Sequence, residues 1–399
     1  MSLADRFVAR FKNSEPLALE LITRRCLRTR FQGSACACCL SECPAGAIRL
    51  ESGQIILDQK LCLGCLACTA VCPAEALVGL DSRLAAAPGK VAAGKAVSLC
   101  CEKGIRTGEE VILPCLGALS VEQLAAFAAR SGQDVSLHLS RCVDCKAVFV
   151  PDILARRLQE LKDRLGGDAL CASIRLLLTK EEEAAAEQVE AASSRRAFFR
   201  AFLDISLHAA TETISTLKAD HNPQEKHAHK HQPTRLAQLH QALSKSGDQA
   251  HRLALLKLFF TLTVNSECNF CGGCAGMCPT GALKNTREDE VKRLKFDWAK
   301  CSGCGLCLEF CRKKALILNP GRGVEALEAE LEVLLEMQAR TTDENQARAL
   351  RMTLKNLIMP DGGMGETFKV LVQGKGVGSV RLLCQRSIRE IPLPMAGMF

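Results

Sequence analysis

Three stretches of the chain repeat one cysteine pattern. Residues 268–279 read CNFCGGCAGMCP, residues 62–73 read CLGCLACTAVCP, and residues 301–311 read CSGCGLCLEFC without the closing proline. At these intervals three thiolates reach one face of an iron–sulfur cluster, while the fourth reaches a neighbouring cluster. A fourth stretch, GSACACCLSECP at 33–44, keeps the pattern except that Gly33 replaces its first cysteine. The spacing therefore predicts iron–sulfur chemistry.

The composition is consistent with metal-binding thiols rather than disulfides. The chain has 399 residues and 24 cysteines, which is enough for two to four domains. Its first residues carry charge and lack the apolar segment of a signal peptide, and no apolar run reaches spanning length, so a reducing cytoplasm and no membrane span are expected. The formal net charge of +8 counts every cysteine as neutral, and four clusters at about −2 each would offset it. One tryptophan and no tyrosine leave few rings for base stacking, so nucleic acid is not an expected partner.

Residues 33–80 and 265–318 share one order of features. Each has a cysteine cluster ending in Cys-Pro, a small-residue turn, a hairpin-like stretch and an aspartate before the next cluster. Each half resembles the bacterial two-cluster ferredoxin domain. The resemblance implies an α+β ferredoxin-like fold of βαββαβ order, in which each [4Fe-4S] cluster takes three cysteines from one motif and one from the other.

Carried onto the second half, the resemblance implies two cluster sites. One site would comprise Cys268, Cys271, Cys274 and Cys311. The other would comprise Cys301, Cys304, Cys307 and Cys278. Arg312, Lys313 and Lys314 stand where a proline would usually follow the last cysteine. They are expected to raise the potential of the adjacent cluster, or else to form a solvated basic helix end.

The first half departs further from the ferredoxin pattern. One site would comprise Cys62, Cys65, Cys68 and Cys43. At the other site Cys26 or Cys38 can replace the ligand missing at Gly33. Cys26 is favoured, because Cys38 adjoins Cys39 and neighbouring side chains on a tight turn point apart. The favoured site comprises Cys26, Cys36, Cys39 and Cys72. The alternative is a three-cysteine site with a labile or three-iron cluster.

Residues 86–178 predict an α/β unit with a parallel sheet. Strand-like runs such as KAVSLCC and DVSLHLSRCVDC alternate with helical patterns such as VEQLAAFAARSG. Five cysteines follow the first three strands, at the sheet edge where ligands bind: Cys100, Cys101, Cys115, Cys142 and Cys145. The pattern resembles the delta subunit of methyl-viologen-reducing hydrogenase, which implies a [2Fe-2S] centre; zinc is the competing assignment. Cys171 and Cys384 are expected in strand-like runs as buried small hydrophobes.

Five domains are predicted. They are a ferredoxin-like domain at 1–85, the cysteine-rich α/β domain at 86–178, a helical and His-containing linker at 179–262, a second ferredoxin-like domain at 263–318, and a helical pair with a terminal hairpin at 319–399. In the linker His227, His229 and His231 alternate. They are expected in a solvated segment, with metal binding as the alternative.

The leading functional expectation is an iron–sulfur electron-transfer protein or subunit with four [4Fe-4S] clusters and a fifth centre, itself non-catalytic. The resemblance of the middle region to a hydrogenase subunit implies redox enzyme partners, such as a hydrogenase, a formate dehydrogenase or a heterodisulfide-reductase-like assembly. One alternative is a thiol–disulfide reductase that reacts at Cys100 and Cys101. Another is an iron–sulfur sensor or cluster carrier.

Overall fold

The computed structural model describes most of the chain between residues 19 and 321 and three strands near the C-terminus. The described residues are 19–91, 97–104, 110–167, 169–185, 229–246, 248–288, 291–321, 369–371, 379–384 and 387–392. Within these ranges, none of the helices combines the length and the apolar character needed to cross a membrane.

Residues 19–79, the first unit, run strand–helix–strand–strand–helix–strand with one extra short helix. Its elements are β1 (Leu19–Leu21), α1 (Leu27–Arg30), α2 (Cys38–Glu42), β2 (Ile48–Glu51), β3 (Gln54–Leu57), α3 (Ala67–Val71) and β4 (Leu77–Gly79). Strands β2 and β3 form an antiparallel hairpin, and β1 pairs with β4. The hairpin turns at Ser52 and Gly53, both with positive φ, as a two-residue turn between twisted strands requires. The hairpin separates the two cysteine motifs.

A short helix, α4 (Arg83–Ala86), leads into the middle unit at 97–177. Its elements are β5 (Val97–Cys101), β6 (Val111–Leu113), α5 (Val121–Ser131), β7 (Val135–His138), α6 (Val150–Leu165), α7 (Ala169–Ala172) and β8 (Ile174–Leu177). The four strands are parallel in the order β6-β5-β7-β8. Helix α5 begins with a capping box between Ser120 and Gln123, which satisfies backbone donors at its first turn. Cys171 lies in α7, so the expectation of a strand at that position is wrong.

Helices α8 (Thr234–Lys245) and α9 (Gln249–Leu256) belong to the segment predicted as a linker. Their apolar residues recur at helical spacing, and Leu239, Leu243 and Leu255 are buried in the same core cluster as α5 and the parallel sheet. The Gln123 side-chain amide also donates to Gln238 at 2.9 Å. This part of the chain therefore packs as core, because a leucine stripe lowers its free energy by burial.

The second unit, at 260–320, repeats the strand and helix order of the first. Its elements are β9 (Phe260–Val264), α10 (Gly273–Met277), β10 (Leu283–Glu288), β11 (Val291–Phe296), α11 (Leu306–Phe310) and β12 (Leu316–Pro320). Strands β10 and β11 form an antiparallel hairpin, and β12 pairs with β9. Strand β9 begins at Phe260, inside the predicted linker. The division of the chain into five domains stays a prediction.

Three further strands lie near the C-terminus. They are β13 (Lys369–Leu371), β14 (Ser379–Cys384) and β15 (Ser387–Pro392), which form one antiparallel sheet. Cys384 ends β14. The predicted helical pair, apart from residues 319–321, and the position of His227 lie outside the described residues.

Candidate metal centres

Four thiols lie close together in the second unit, and one of them is exposed to solvent. Burial raises the pKa of the Cys274 thiol, and the negative charges of neighbouring thiols raise it further. Those neighbours are Cys268, Cys271 and Cys311. Cys271 is exposed, and the other three are half-buried. These four cysteines, called set 4 below, are the set that the ferredoxin resemblance implies.

A second group lies deeper in the same unit. Burial raises the pKa of Cys301 to about 12, of Cys304 to about 11 and of Cys307 to about 12. Cys278, the cysteine of the other motif, lies close enough to contribute to all three pKa increases and is itself buried. Set 3 consists of Cys278, Cys301, Cys304 and Cys307.

In the first unit four thiols line one cavity. It is small, partly open to solvent and lined mostly by apolar residues. The cysteines that line it are Cys43, Cys62, Cys65 and Cys68, which form set 1. Burial raises the pKa of the Cys68 thiol, and the other three members raise it further. A cavity lined by four convergent thiols fits a buried cluster with one thiolate for each iron.

The remaining thiols of the first unit lie around the place of the missing ligand. Burial, together with the charges of Cys72 and Cys26, raises the pKa of Cys39 to about 12. A side-chain hydrogen bond with Cys36 lowers the pKa of Cys38 to about 6, and Cys38 is exposed. The structure thus places Cys26 beside the predicted ligands. Set 2 denotes Cys26, Cys36, Cys39 and Cys72.

Gly33 has no room for a ligand side chain. A β-carbon added there would lie 2.7 Å from the ring of Phe31, closer than such contacts allow. The ring of Phe31 packs edge-on against Phe310 of the second unit, with 5.5 Å between ring centroids. An aromatic side chain therefore occupies the space that a cysteine at position 33 would need.

The middle unit brings four of its five predicted thiols together. Burial raises the pKa of Cys115 to about 12 and of Cys142 to about 11. The charge of Cys101 contributes to both pKa increases, and that of Cys145 contributes to the increase at Cys142. The Cys145 sulfur lies 3.8 Å from Nζ of Lys103. Cys101, Cys115, Cys142 and Cys145 form the middle set.

Cys100 differs from its neighbour Cys101. It is fully buried, whereas Cys101 is half-buried. Successive side chains of a strand point to opposite faces of the sheet, so these two thiols lie on different faces of β5. In the parallel register Cys100 lies opposite His138. His138 is also buried, and its Nδ1 lies 4.0 Å from the carboxylate of Glu183.

The donor chemistry of all five sets fits iron–sulfur clusters. In the part of the chain that the structure describes, no three Cys, His, Asp or Glu side chains converge tightly enough to hold a single ion. A cluster distributes its thiolates over several irons, so its ligands stand further apart than those of one ion. Burial and neighbouring charges raise the pKa of the Cys68, Cys115 and Cys307 thiols, and a bound cation reverses that preference for the protonated form. A bound cluster would supply one-electron redox chemistry.

Sequence reasoning missed the charged residues that join these sets. Arg30 is only 4% exposed, and the thiolate charges of Cys278 and Cys304 act on it from the second unit. Arg157 of the middle unit is equally buried and donates to Glu42 of the first unit at 2.5 Å. Neither arginine stands in a motif, so the sequence offered no signal for either.

The family of 4Fe-4S binding domains matches residues 55–78. The chain is 48% identical over 42 residues to one component of an ion-translocating oxidoreductase complex from Methanosarcina acetivorans, covering 10% of this chain and 16% of that protein. It is 41% identical over 64 residues to a polyferredoxin protein of Methanothermobacter marburgensis, covering 14% and 16%. The chain thus spans only about a sixth of these two proteins. No solved structure matches.

A shorter relative is matched over most of its length. The chain is 43% identical over 49 residues to ferredoxin-3 of Chlorobaculum tepidum, which covers 11% of this chain and 79% of that protein. These matches confirm the prediction of 4Fe-4S cluster binding. The chain belongs to the 4Fe-4S ferredoxin family.

Proposed function

We propose that this chain is a non-catalytic relay subunit with four [4Fe-4S] clusters and a fifth centre. Sets 1 to 4 would each hold one [4Fe-4S] cluster in two ferredoxin-like units. The middle set would hold the fifth centre, a [2Fe-2S] cluster. The observation that carries the proposal is the grouping of the thiols: sets 1, 3 and 4 each combine three cysteines of one motif with one of its partner.

Thiol geometry favours Cys101 over Cys100 as the ligand from strand β5. Cys101 is half-buried and shares its surroundings with Cys115 and Cys142. Cys100 is fully buried and opposite His138 in register. Four thiolates suffice for either a [2Fe-2S] cluster or zinc. Iron is proposed because a relay needs a redox-active ion, which zinc is not.

Redox enzymes are the proposed partners. The relatives include a component of an ion-translocating oxidoreductase complex and a polyferredoxin, and an oxidoreductase complex moves electrons between its components. The middle unit, proposed to resemble a hydrogenase delta subunit, would receive or deliver electrons at an enzyme such as a hydrogenase, a formate dehydrogenase or a heterodisulfide-reductase-like assembly.

Anaerobic purification with iron, zinc and sulfide counted per chain tests the proposal. Four [4Fe-4S] clusters give about 16 irons per chain, and a [2Fe-2S] middle centre raises the count to about 18. The variant Cys115→Ala should lose about two irons, and Cys171→Ala, a half-buried cysteine outside every set, should lose none. A chain with zinc at the middle set would overturn the relay role of that unit, and a colourless chain would overturn the whole proposal.

A further inference from the structure

We propose that the chain arranges its five cysteine sets in single file, in the order middle set, set 1, set 2, set 3, set 4. This order rests on the proposed function and goes beyond it, because it states which sets are neighbours and which lie at the ends. Four separate hydrophobic clusters carry the argument. In the described residues each cluster holds cysteines of two successive sets.

The middle set adjoins set 1. All four members of the middle set pack against the largest core cluster, and Cys65 is the member of set 1 that packs there with them. A β-carbon at Gly117 would lie 2.6 Å from the Cys65 carbonyl oxygen, so only glycine permits this approach. Two residues before that glycine stands Cys115, whose thiol feels the charge of Cys65.

Arg157 stabilises this junction between the middle set and set 1 through hydrogen bonds. Its guanidinium donates to the carbonyl oxygens of Gly117 at 2.7 Å and of Ala67 at 3.0 Å, so it joins the loop after β6 to helix α3. It also donates to Glu42 at 2.5 Å. The side chains of Arg157 and Glu42 are only 5% and 11% exposed. Buried charge-assisted hydrogen bonds of this kind fix geometry.

Sets 1 and 2 adjoin inside the first unit. One core cluster there holds Cys43, Cys62 and Cys68 of set 1 together with Cys26 and Cys39 of set 2. In the second unit a corresponding cluster holds Cys278, Cys301 and Cys307 of set 3 with Cys274 of set 4. The pseudo-symmetric fold thus places its two sets side by side in each unit.

The junction between the two units lies between sets 2 and 3. Cys36 and Cys304 pack against one apolar cluster that also contains Phe31 and Phe310. Arg30 reaches across this junction, where its Nε donates to the carbonyl oxygen of Met277 at 3.4 Å. No core cluster of the described residues joins set 1 or the middle set to the second unit's cysteines.

Residues 229–234 contact both units at the same junction between sets 2 and 3. The His231 ring nitrogen lies 2.5 Å from the Glu75 carboxylate of the first unit, and the His231 amide donates to Pro279 of the second at 2.9 Å. Lys230 donates to the carbonyl oxygens of Gly276 at 2.6 Å and Cys278 at 2.8 Å. This segment therefore joins the turn that follows Cys72 of set 2 to the turn that follows Cys278 of set 3.

Both ends of the file reach the surface. At set 4 Cys271 is exposed, and Phe270 beside it is 40% exposed. At the middle set Val143, between Cys142 and Cys145, is 74% exposed. One electron accepted at one end is balanced by one given up at the other, so a donor enzyme is oxidised and an acceptor reduced.

Cluster-specific paramagnetic resonance of the reduced holoprotein tests the order. Cys304→Ala should remove about four irons and abolish the magnetic broadening that set 3 causes in the signals of sets 2 and 4. The matched control Cys271→Ala should also remove about four irons, in this case those of set 4. Because set 3 is the only neighbour of set 4 in the proposed order, only the signal of set 3 should become narrower. In both variants the interaction between the middle set and set 1 should persist. Unchanged set 2 and set 4 signals in Cys304→Ala would overturn the order.

A second measurement needs no substitution. Anomalous scattering at the iron edge from crystals of the holoprotein should place five peaks in the proposed sequence, with the peak at Cys115 nearest that at Cys65. A peak at set 3 or set 4 next to the middle set would overturn the inference. Iron analysis distinguishes a failure of the proposed function from a failure of the proposed order. A chain without iron refutes the proposed function, whereas an iron-loaded chain whose clusters follow another order refutes only the single file.

Discussion

Replacing Arg30 with methionine should lower the reduction potential of the cluster at set 3. Arg30 is 4% exposed, and its Nη1 donates to the His229 carbonyl oxygen at 3.1 Å. Burial lowers the pKa of Arg30, while the charges of Cys278 and Cys304 oppose that change. A guanidinium stays charged at any practical pH. Because reduction adds negative charge beside this fixed cation, Arg30 favours the reduced form.

The expected shift follows from the charge and its burial. Two unit charges about 4 Å apart interact by about 4 kcal/mol at an effective dielectric constant of about 20, and by about half of that at twice the distance. For one electron, about 1.4 kcal/mol corresponds to about 59 mV. Loss of about 2 kcal/mol, the interaction at twice that distance, therefore lowers the potential by roughly 85 mV. The exposed residues 312–314 should change it less, because water and salt screen exposed charges.

Redox titration followed by paramagnetic resonance measures this shift. Arg30→Lys keeps the charge and should retain most of the wild-type potential. Arg49→Met removes an equally charged residue whose side chain is 52% exposed on β2, and it should leave the set 3 potential unchanged. If Arg30→Met keeps its full iron content and titrates with the wild-type potential, Arg30 does not tune this cluster and the electrostatic reasoning is refuted.

Three further predictions concern ligation and stability. Cys26→Ser should cost about four irons per chain and Cys38→Ser none, and the reverse result in anaerobic iron analysis would assign the missing ligand to Cys38. Arg157→Leu should lower the free energy of unfolding by about 3 to 5 kcal/mol because it strands a buried carboxylate. Arg156 contacts the same carboxylate with a side chain that is 65% exposed, so Arg156→Leu should lower the free energy of unfolding by less than about 1 kcal/mol in the same denaturant titration. Equal losses in the two variants would contradict the importance of burial. Since the pKa of Cys115 is raised to about 12, its thiol is protonated at neutral pH and must release its proton to solvent when it binds a metal. Co²⁺ binding to the metal-free chain should therefore tighten as the pH rises from about 6.5 to about 8.5, and an affinity that stays constant over this range would contradict the expectation.

Cluster chemistry was predictable because it is encoded locally. In a CxxCxxC stretch three ligands lie within seven residues, so their grouping needs no knowledge of the rest of the fold. The partner cysteine follows from the repeat, and the structure brings Cys311 to Cys274 and Cys278 to Cys301. The family match confirms 4Fe-4S binding. The assignment of individual ligands stays a prediction.

Contacts between units could not be read from the sequence. Whether Cys100 or Cys101 serves the middle set depends on which face of the sheet each side chain takes, and a CC pair carries no sign of that. The role of residues 229–234 was likewise hidden, because a polar segment with histidines is typical of a solvated linker. Its hydrogen bonds to Glu75 and Pro279 depend on two turns that are more than 200 residues apart in the chain.

The missing cysteine at Gly33 and the docking of the two units have one physical cause. The Phe31 ring fills the space of a side chain at position 33 and meets Phe310 across the junction. A cysteine at 33 would displace that ring, and with it the apolar cluster that brings Cys36 near Cys304. The proposed fourth thiol, that of Cys26 on the segment before α1, would leave the ring in place. The departure from the ferredoxin pattern at Gly33 therefore keeps the apolar cluster in which Cys36 of one unit and Cys304 of the other both pack.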